Sequence, residues 1–517
     1  MLDPIVETVA GKVRGTNDEG VYTFKGIPYG DTTEGARRFM APSKPQPWVG
    51  VRDAIAFGSR CYQTEGGIQE FDRELKKANA WDDGPEDESE NCLVLNVWTR
   101  GITDGKKRPV MFWCHGGGFF AGSGARARNN GKFLAKRGDV VVVTVNHRLG
   151  PLGFLHLGDL AGEEYAASGN AGMLDLVLAL EWVRDNIEQF GGDPGNVTIF
   201  GTSGGGGKVS TLLAMPSAQG LFHRAAIQSS SGLRMRTREE ATQLAETLLF
   251  ELGLGVDQLD KLHQLHPKQI WEAYWAATKW SPESFAKKGR NVMAAPVVDG
   301  RYLPNHPCDP VAPSISAHVP LMTGTTKDEA TLFLLSDPQL GSIDEQGMMK
   351  WLNLYAGDDS ERVLNAYRSA MPDASPNDLL VAMVTDRLTR MGSITLAERK
   401  LALKSAPVYM YMFSWESPIL GGKMKSFHGA DAPFIFDTLS LAPTALTGDD
   451  PELVPLANKM SEAWIAFATY GNPNHPGLPE WPAYSLEERA TMTFDKECRM
   501  VKDPLREGRL AWELVKR

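Results

Sequence analysis

Four short stretches of this chain carry residue types that together could transfer an acyl group. Gly201-Thr202-Ser203-Gly204-Gly205 fits G-x-S-x-G. Val197 to Phe200, just before it, is a short apolar run that reads as a buried strand. Lys208 to Met215, just after it, reads as the start of a helix that stops before Pro216. Strand, sharp glycine-flanked turn and helix are the context that makes this pattern a nucleophile elbow. A serine on so tight a turn is strained, and a side chain two residues to either side would collide with neighbouring backbone. The helix start also points backbone N–H groups toward developing negative charge.

Acyl transfer by a serine needs a base, an orienter for that base, and donors for the oxyanion. His115-Gly-Gly-Gly-Phe119 follows directly on an apolar strand and is the type of glycine loop that offers such donors. In an elbow fold the acid and then the base follow the serine. Of the ten histidines, His428 in Phe427-His-Gly-Ala-Asp-Ala-Pro-Phe434 best fits a loop after a strand. His475, in Asn-Pro-Asn-His-Pro, reads as a surface loop residue. His115 and His147 come too early, and His115 is expected to order its own glycine loop. The acid should follow the strand at 319–324, where Lys327-Asp-Glu-Ala330 offers Asp328 or Glu329. Position does not choose between them.

The elements that must hold these residues read as follows. Residues 5–27 look like a small β-meander, and residues 31–90 are rich in Pro, Gly and charge and mostly irregular. Strands follow at Leu93–Trp98 and Pro109–Cys114. Asp139-Val-Val-Val-Val-Thr-Val145 is apolar on both faces, as a central strand covered by helices should be. Met173 to Phe190 has helical periodicity, and Ala225–Gln228, 319–324 and Val408–Phe413 are further strands. Residues 236–290 are mainly helical and irregular. A last helix over Asn458–Tyr470 precedes a Pro-rich tail. Alternating strands and helices predict an α/β fold with a large, mostly parallel sheet covered on both sides. No repeat or linker is evident, so residues 1–517 read as one domain with insertions around 31–90 and 236–300.

Composition narrows the function classes. The chain has 517 residues, 42% hydrophobic and 23% charged, with net charge −10 from 54 basic and 64 acidic residues. Without a concentrated basic cluster, nucleic acid is not an expected partner. No stretch approaches the roughly 20 apolar residues that span a bilayer. The N-terminus lacks a basic segment followed by an apolar one, which suits a cytoplasmic protein or one exported with its leader removed. Five cysteines in so long a chain are no disulfide scaffold. No zinc spacing, phosphate loop or dinucleotide fingerprint appears, so neither a metal nor a cofactor is expected.

Gly26-Ile-Pro-Tyr29, Ser89 to Trp98, His115 to Phe119, Asn146-His-Arg-Leu-Gly150, Gly169-Asn-Ala-Gly-Met-Leu-Asp175, Phe190-Gly-Gly-Asp-Pro194 and Gly201 to Gly205 run through the chain in order. In these motifs, and over essentially its whole length, the sequence resembles the type-B carboxylesterases. These are the cholinesterase and para-nitrobenzyl esterase group of α/β-hydrolases. The resemblance implies a serine carboxylesterase acting on a small-molecule ester through Ser203, Glu329 and His428, with Gly117, Gly118 and Gly204 as oxyanion donors. Amide or thioester hydrolysis uses the same triad, and some members of the superfamily bind without catalysis but typically lack a triad residue.

This chain departs from the family's pattern in places. Thr202 stands where the family usually has Glu, so the buried carboxylate beside the serine is missing. Gly204 replaces the usual alanine, which is expected to leave room at one oxyanion donor. Leu332 stands at an aromatic position of the choline-binding wall, though Phe333 follows, and Trp81 is displaced by one residue from another. These changes argue against choline selectivity. Candidate pocket residues are Trp275, Trp280, Phe285, Met293, Leu332 and Phe333. The resemblance also implies a Cys61–Cys92 disulfide closing a loop with 30 residues between the cysteines (92 − 61 − 1). A cross-link of that size contributes about 3–4 kcal/mol in the chain-entropy account.

Overall fold

Runs that are apolar on both faces form the interior of the sheet. The computed structural model describes residues 3–63, 86–279, 294–448 and 450–515. Its largest sheet has eleven strands. In chain order these are β1 (Thr16–Asp18), β2 (Val21–Pro28), β3 (Val94–Thr99), β4 (Arg108–Cys114), β5 (Val141–Val145), β6 (Gly192–Thr202), β7 (Arg224–Gln228), β8 (Leu321–Thr326), β9 (Val408–Phe413), β10 (Ala490–Phe494) and β11 (Arg499–Lys502). Across the sheet the order is β11-β10-β9-β8-β7-β6-β4-β5-β3-β2-β1. From β5 to β10 every neighbouring pair is parallel, and the strands beyond pair antiparallel. All residues of β5, β8 and β9 are buried, because helices cover both faces.

Helices α1 (Lys132–Gly138), α2 (Ala171–Asn186), α3 (Gly204–Ala214), α4 (Met391–Leu401) and α5 (Leu453–Tyr470) supply most of that cover. Trp113 of β4 and Phe200 of β6 are register partners, and both rings pack on Phe436 beside α5. Arg148, just past β5, makes a buried ion pair with Asp175 of α2 at 2.7 Å, and its amide donates to the same carboxylate at 2.9 Å. Those hydrogen bonds offset the desolvation of both charges and fix helix to sheet. Residues of the apolar core form one cluster reaching from Val6 to Val515.

Several boundaries differ from expectation. The N-terminal meander is divided between two sheets. Ile5–Thr8 and Gly11–Arg14 form a hairpin that pairs with Val51–Asp53, while β1 and β2 join the edge of the large sheet. Residues past Tyr470 are more ordered than a Pro-rich tail: they provide β10, β11 and a further helix, Arg506–Glu513. α3 begins at Gly204, four residues earlier than its sequence suggests. Four glycines open that helix against their low propensity, so contacts with the sheet decide its start. Trp81, Trp280, Phe285 and Met293 lie outside the described residues. Among the described residues, no helix is long and apolar enough to cross a membrane, and no group of three or more His, Cys, Asp or Glu residues is placed to hold a metal ion.

Candidate active site

The candidate residues gather where β4, β6, β7, β8 and β9 end at their carboxyl edge, the usual place for chemistry on an open α/β sheet. Ser203 follows β6 with φ 57° and ψ −124°, a conformation side chains rarely adopt. Two hydrogen bonds hold it there. Its amide donates to the Gln228 carbonyl at 2.9 Å, and its own carbonyl accepts from the Gly207 amide at 3.1 Å. The flanking glycines behave as the motif predicts. A Cβ on Gly201 or Gly205 would lie 2.6 or 2.1 Å from the Cys114 carbonyl oxygen.

The glycine loop leaves β4 at His115 and takes left-handed backbone at Gly117 (φ 91°) and Gly118 (φ 62°). His115 Nδ1 lies 2.8 Å from the Gly116 carbonyl, so this histidine does order its own loop. At the far end, buried Gln63 donates to the Gly122 carbonyl at 3.1 Å and accepts from the Gly122 amide at 2.8 Å. The loop rests directly on the elbow. A Cβ on Gly204 would sit 2.2 Å from the Gly118 carbonyl oxygen and 2.4 Å from its nitrogen. Gly204 therefore leaves no spare room at this donor, contrary to expectation: the loop backbone fills the space.

The choice between the two acids turns on orientation. Glu329 is fully buried; its Oε1 accepts from the Thr326 amide at 2.8 Å and its Oε2 pairs with His428 Nδ1. Asp328 points elsewhere, accepting from the Ser426 amide at 3.2 Å beside Lys327. Burial pushes its carboxyl above the ordinary value. The other ring nitrogen of His428, Nε2, is buried and has no partner among the described residues, and the Phe333 ring packs on the imidazole at 5.1 Å.

Two further buried groups stand here, one inside the His428 segment and one in α3. Asp431, three residues past His428, is fully buried with its Oδ2 accepting from the Tyr411 hydroxyl at 3.1 Å. Burial, with the Glu329 charge nearby, raises its carboxyl to about 7. Lys208 in α3 is also fully buried and donates to the His115 carbonyl at 2.8 Å. A lysine among glycines and aliphatic residues was its only signal. Thr202, in place of the family's usual carboxylate, has its hydroxyl buried without a partner among the described residues.

Of the pocket candidates, Phe333 lies at the site and Leu332 is buried in the core. Trp275 packs on Phe120 of the glycine loop at 5.8 Å. His475 is far in role as well as sequence, bound to the Lys459 carbonyl and paired with Glu462. Cys61 and Cys92 are buried free thiols side by side, so the implied bridge is not formed in this structure. Cys92 hydrogen-bonds Cys61, whose sulfur also accepts the Leu149 amide at 3.3 Å.

The family model of the carboxylesterase family matches residues 2–512. Para-nitrobenzyl esterase of Bacillus subtilis (strain 168) is 37% identical over 511 residues, covering 98% of each chain. Phenmedipham hydrolase of Pseudarthrobacter oxydans is 34% identical, covering 96% of this chain and 95% of that one. The crystal structure of a Geobacillus stearothermophilus carboxylesterase at pH 6.2 superposes with a TM-score of 0.84 at 39% identity, covering 98% and 99% of the two chains. Motifs, sheet order and relatives over the full length agree, and the chain belongs to the carboxylesterase family, as a carboxylic ester hydrolase.

Proposed function

We propose that Ser203, His428 and Glu329 hydrolyse a small-molecule ester in two steps. His428 Nε2 takes the Ser203 proton as Oγ attacks the ester carbonyl, forming a tetrahedral oxyanion held by the N–H groups of Gly117, Gly118 and Gly204. The C–O bond to the alcohol breaks, His428 returns the proton to the departing alcohol, and an acyl-serine remains. Water, deprotonated by the same imidazole, attacks the acyl carbonyl; the ester bond to Ser203 breaks, His428 returns the proton to Ser203 Oγ, and the acid leaves. Glu329 holds the Nδ1–H tautomer and stabilises imidazolium.

The observation that carries this reading is the Glu329–His428 contact, which leaves His428 Nε2 free of any partner among the described residues. Phe333 on the imidazole and Trp275 behind the glycine loop favour substrates with an aromatic portion. Para-nitrobenzyl esters are therefore the first probe. We also read residues 1–517 as one domain, because the apolar core is one cluster.

Ser203→Ala tests the assignment. Its turnover of a para-nitrobenzyl ester should fall by about 10⁴-fold or more, since triad members act as a unit, with the melting temperature unchanged. A fluorophosphonate should label Ser203 in the wild-type protein. Turnover retained by the folded variant, or a label found on another residue, overturns it.

A further inference from the structure

Lys208 is a fully buried ammonium that the two-step scheme does not use. It lies five residues after Ser203, in the second turn of α3, and its Nζ donates to the His115 carbonyl at 2.8 Å. His115 is the first residue of the glycine loop, so this bond holds the peptide from which Gly116, Gly117 and Gly118 run. The titratable and charged groups around Lys208 are Cys114 at the end of β4, His115, His147 after β5, and Arg126. His115 and His147 stack at 5.0 Å, and the Phe119 ring lies 5.9 Å from Nζ. Among the described residues no carboxylate pairs with the ammonium. An unpaired buried charge is costly and persists where the surrounding structure imposes it.

Here it is bonded to the first residue of the loop read above as the oxyanion's, and a positive charge near that loop favours the tetrahedral intermediate over the neutral ester. We propose that Lys208 is a positioning residue for ester hydrolysis: it clamps the His115 carbonyl to fix the oxyanion loop, and its positive charge strengthens that loop's hold on the oxyanion. This rests on the reading of Ser203 and the glycine loop given above.

Burial lowers the amine to about 7, with Arg126 adding to the effect and Cys114 opposing it. The group is thus an ammonium at pH 6 and an amine at pH 9. The amine still donates to the carbonyl, so raising the pH removes the charge and keeps the clamp.

The test compares wild type with Lys208→Met and Lys208→Gln, measuring kcat and KM for a para-nitrobenzyl ester from pH 6 to 9. Taking ratios to wild type cancels the pH dependence that the variants share with it. Lys208→Met should lower kcat about tenfold at pH 6 with KM nearly unchanged, a smaller loss than removing a direct donor. Lys208→Gln keeps a donor without the charge, so it should match that loss at pH 6 and approach wild type at pH 9. Affinity for a trifluoromethyl ketone, which forms a charged tetrahedral adduct, should fall in parallel with kcat.

Lys208→Met should also melt higher than wild type at pH 6, because a buried unpaired charge is gone. Activity and stability then move in opposite directions, which a merely structural lysine would not produce. A ratio that does not change with pH, or a loss confined to KM, overturns the proposal; if Lys208→Met does not fold, Lys208→Gln alone decides it. Labelling by fluorophosphonate is scored separately. Absence of label sinks the serine mechanism, whereas full labelling with a flat ratio sinks only the role of Lys208.

Discussion

Gly118 fills the space that any side chain at Gly204 would need. The carbonyl oxygen, Cα and nitrogen of Gly118 all lie within 2.2–2.4 Å of a Cβ built on Gly204. Two of the three proposed oxyanion donors are thus in backbone contact, and the absence of a methyl group at 204 sets how closely they converge.

Gly204→Ala should therefore impair this enzyme, although alanine is the family's usual residue there. The methyl group pushes the glycine loop outward, and a displacement near 1 Å at such a site costs about a hundredfold. The loss should appear in kcat with KM little changed, since the donors act on the oxyanion. Steady-state kinetics check this, and an unimpaired Gly204→Ala enzyme would show that the loop relaxes without loss.

Glu329→Gln should reduce kcat about 10⁴-fold, as loss of the carboxylate leaves the imidazole in the wrong tautomer. Asp328→Asn should change it less than about threefold, because an amide oxygen still accepts from the Ser426 amide. Parallel kinetics on the two variants separate neighbours in the chain whose side chains diverge. The reverse order of rates would place the acid at Asp328.

Asp431 makes stability depend on pH. Its folded carboxyl is raised to about 7 from 3.8, so the folded state binds the proton more tightly than the unfolded one. The contribution is present in full below pH 4 and is lost as pH rises through 7. Asp431→Asn keeps an acceptor for the Tyr411 hydroxyl and removes the buried charge. It should raise the melting temperature by about a few degrees at pH 8.5 and much less at pH 5. Equal shifts at both pH values would mean that Asp431 is not protonated in the acidic range.

The reasons some features were legible in the sequence are physical. Val141–Val145 and Val408–Phe413 are apolar on both faces, a pattern that only burial between two helical layers explains. Ser203 and the glycine loop announce themselves because tight turns and close approach restrict residue type. Asp328 and Glu329 could not be separated that way, since only the direction in which the turn after β8 aims each side chain distinguishes them. The start of α3 ran against propensity: Gly205 and Gly206 are helical because the turn is pressed on the Cys114 and Gln228 carbonyls. Lys208 was hidden for a related reason, as a lysine in a helix ordinarily reads as a solvent-facing residue. β10, with Ala490-Thr-Met-Thr-Phe494, is too short to stand out before its neighbours are known.

Cys61 and Cys92 should be recovered as free thiols. They are 1% and 0% exposed, and the hydrogen bond to Cys61, together with burial, raises the Cys92 thiol well above its ordinary value. An alkylating agent must reach the sulfur, and burial shields both, so both should resist iodoacetamide in the native protein. Cys114, raised to about 12 by burial, and Cys308, raised to about 11 by burial, should behave alike. Denaturation in excess iodoacetamide without reductant should alkylate all five cysteines, and non-reducing peptide mapping reads the result directly. Reductant should likewise leave the melting temperature of the native enzyme unchanged, whereas breaking a bridge across that loop would cost about 3–4 kcal/mol. A cross-linked Cys61–Cys92 peptide, or a melt that falls with reductant, would show that the adjacent thiols close into the bridge.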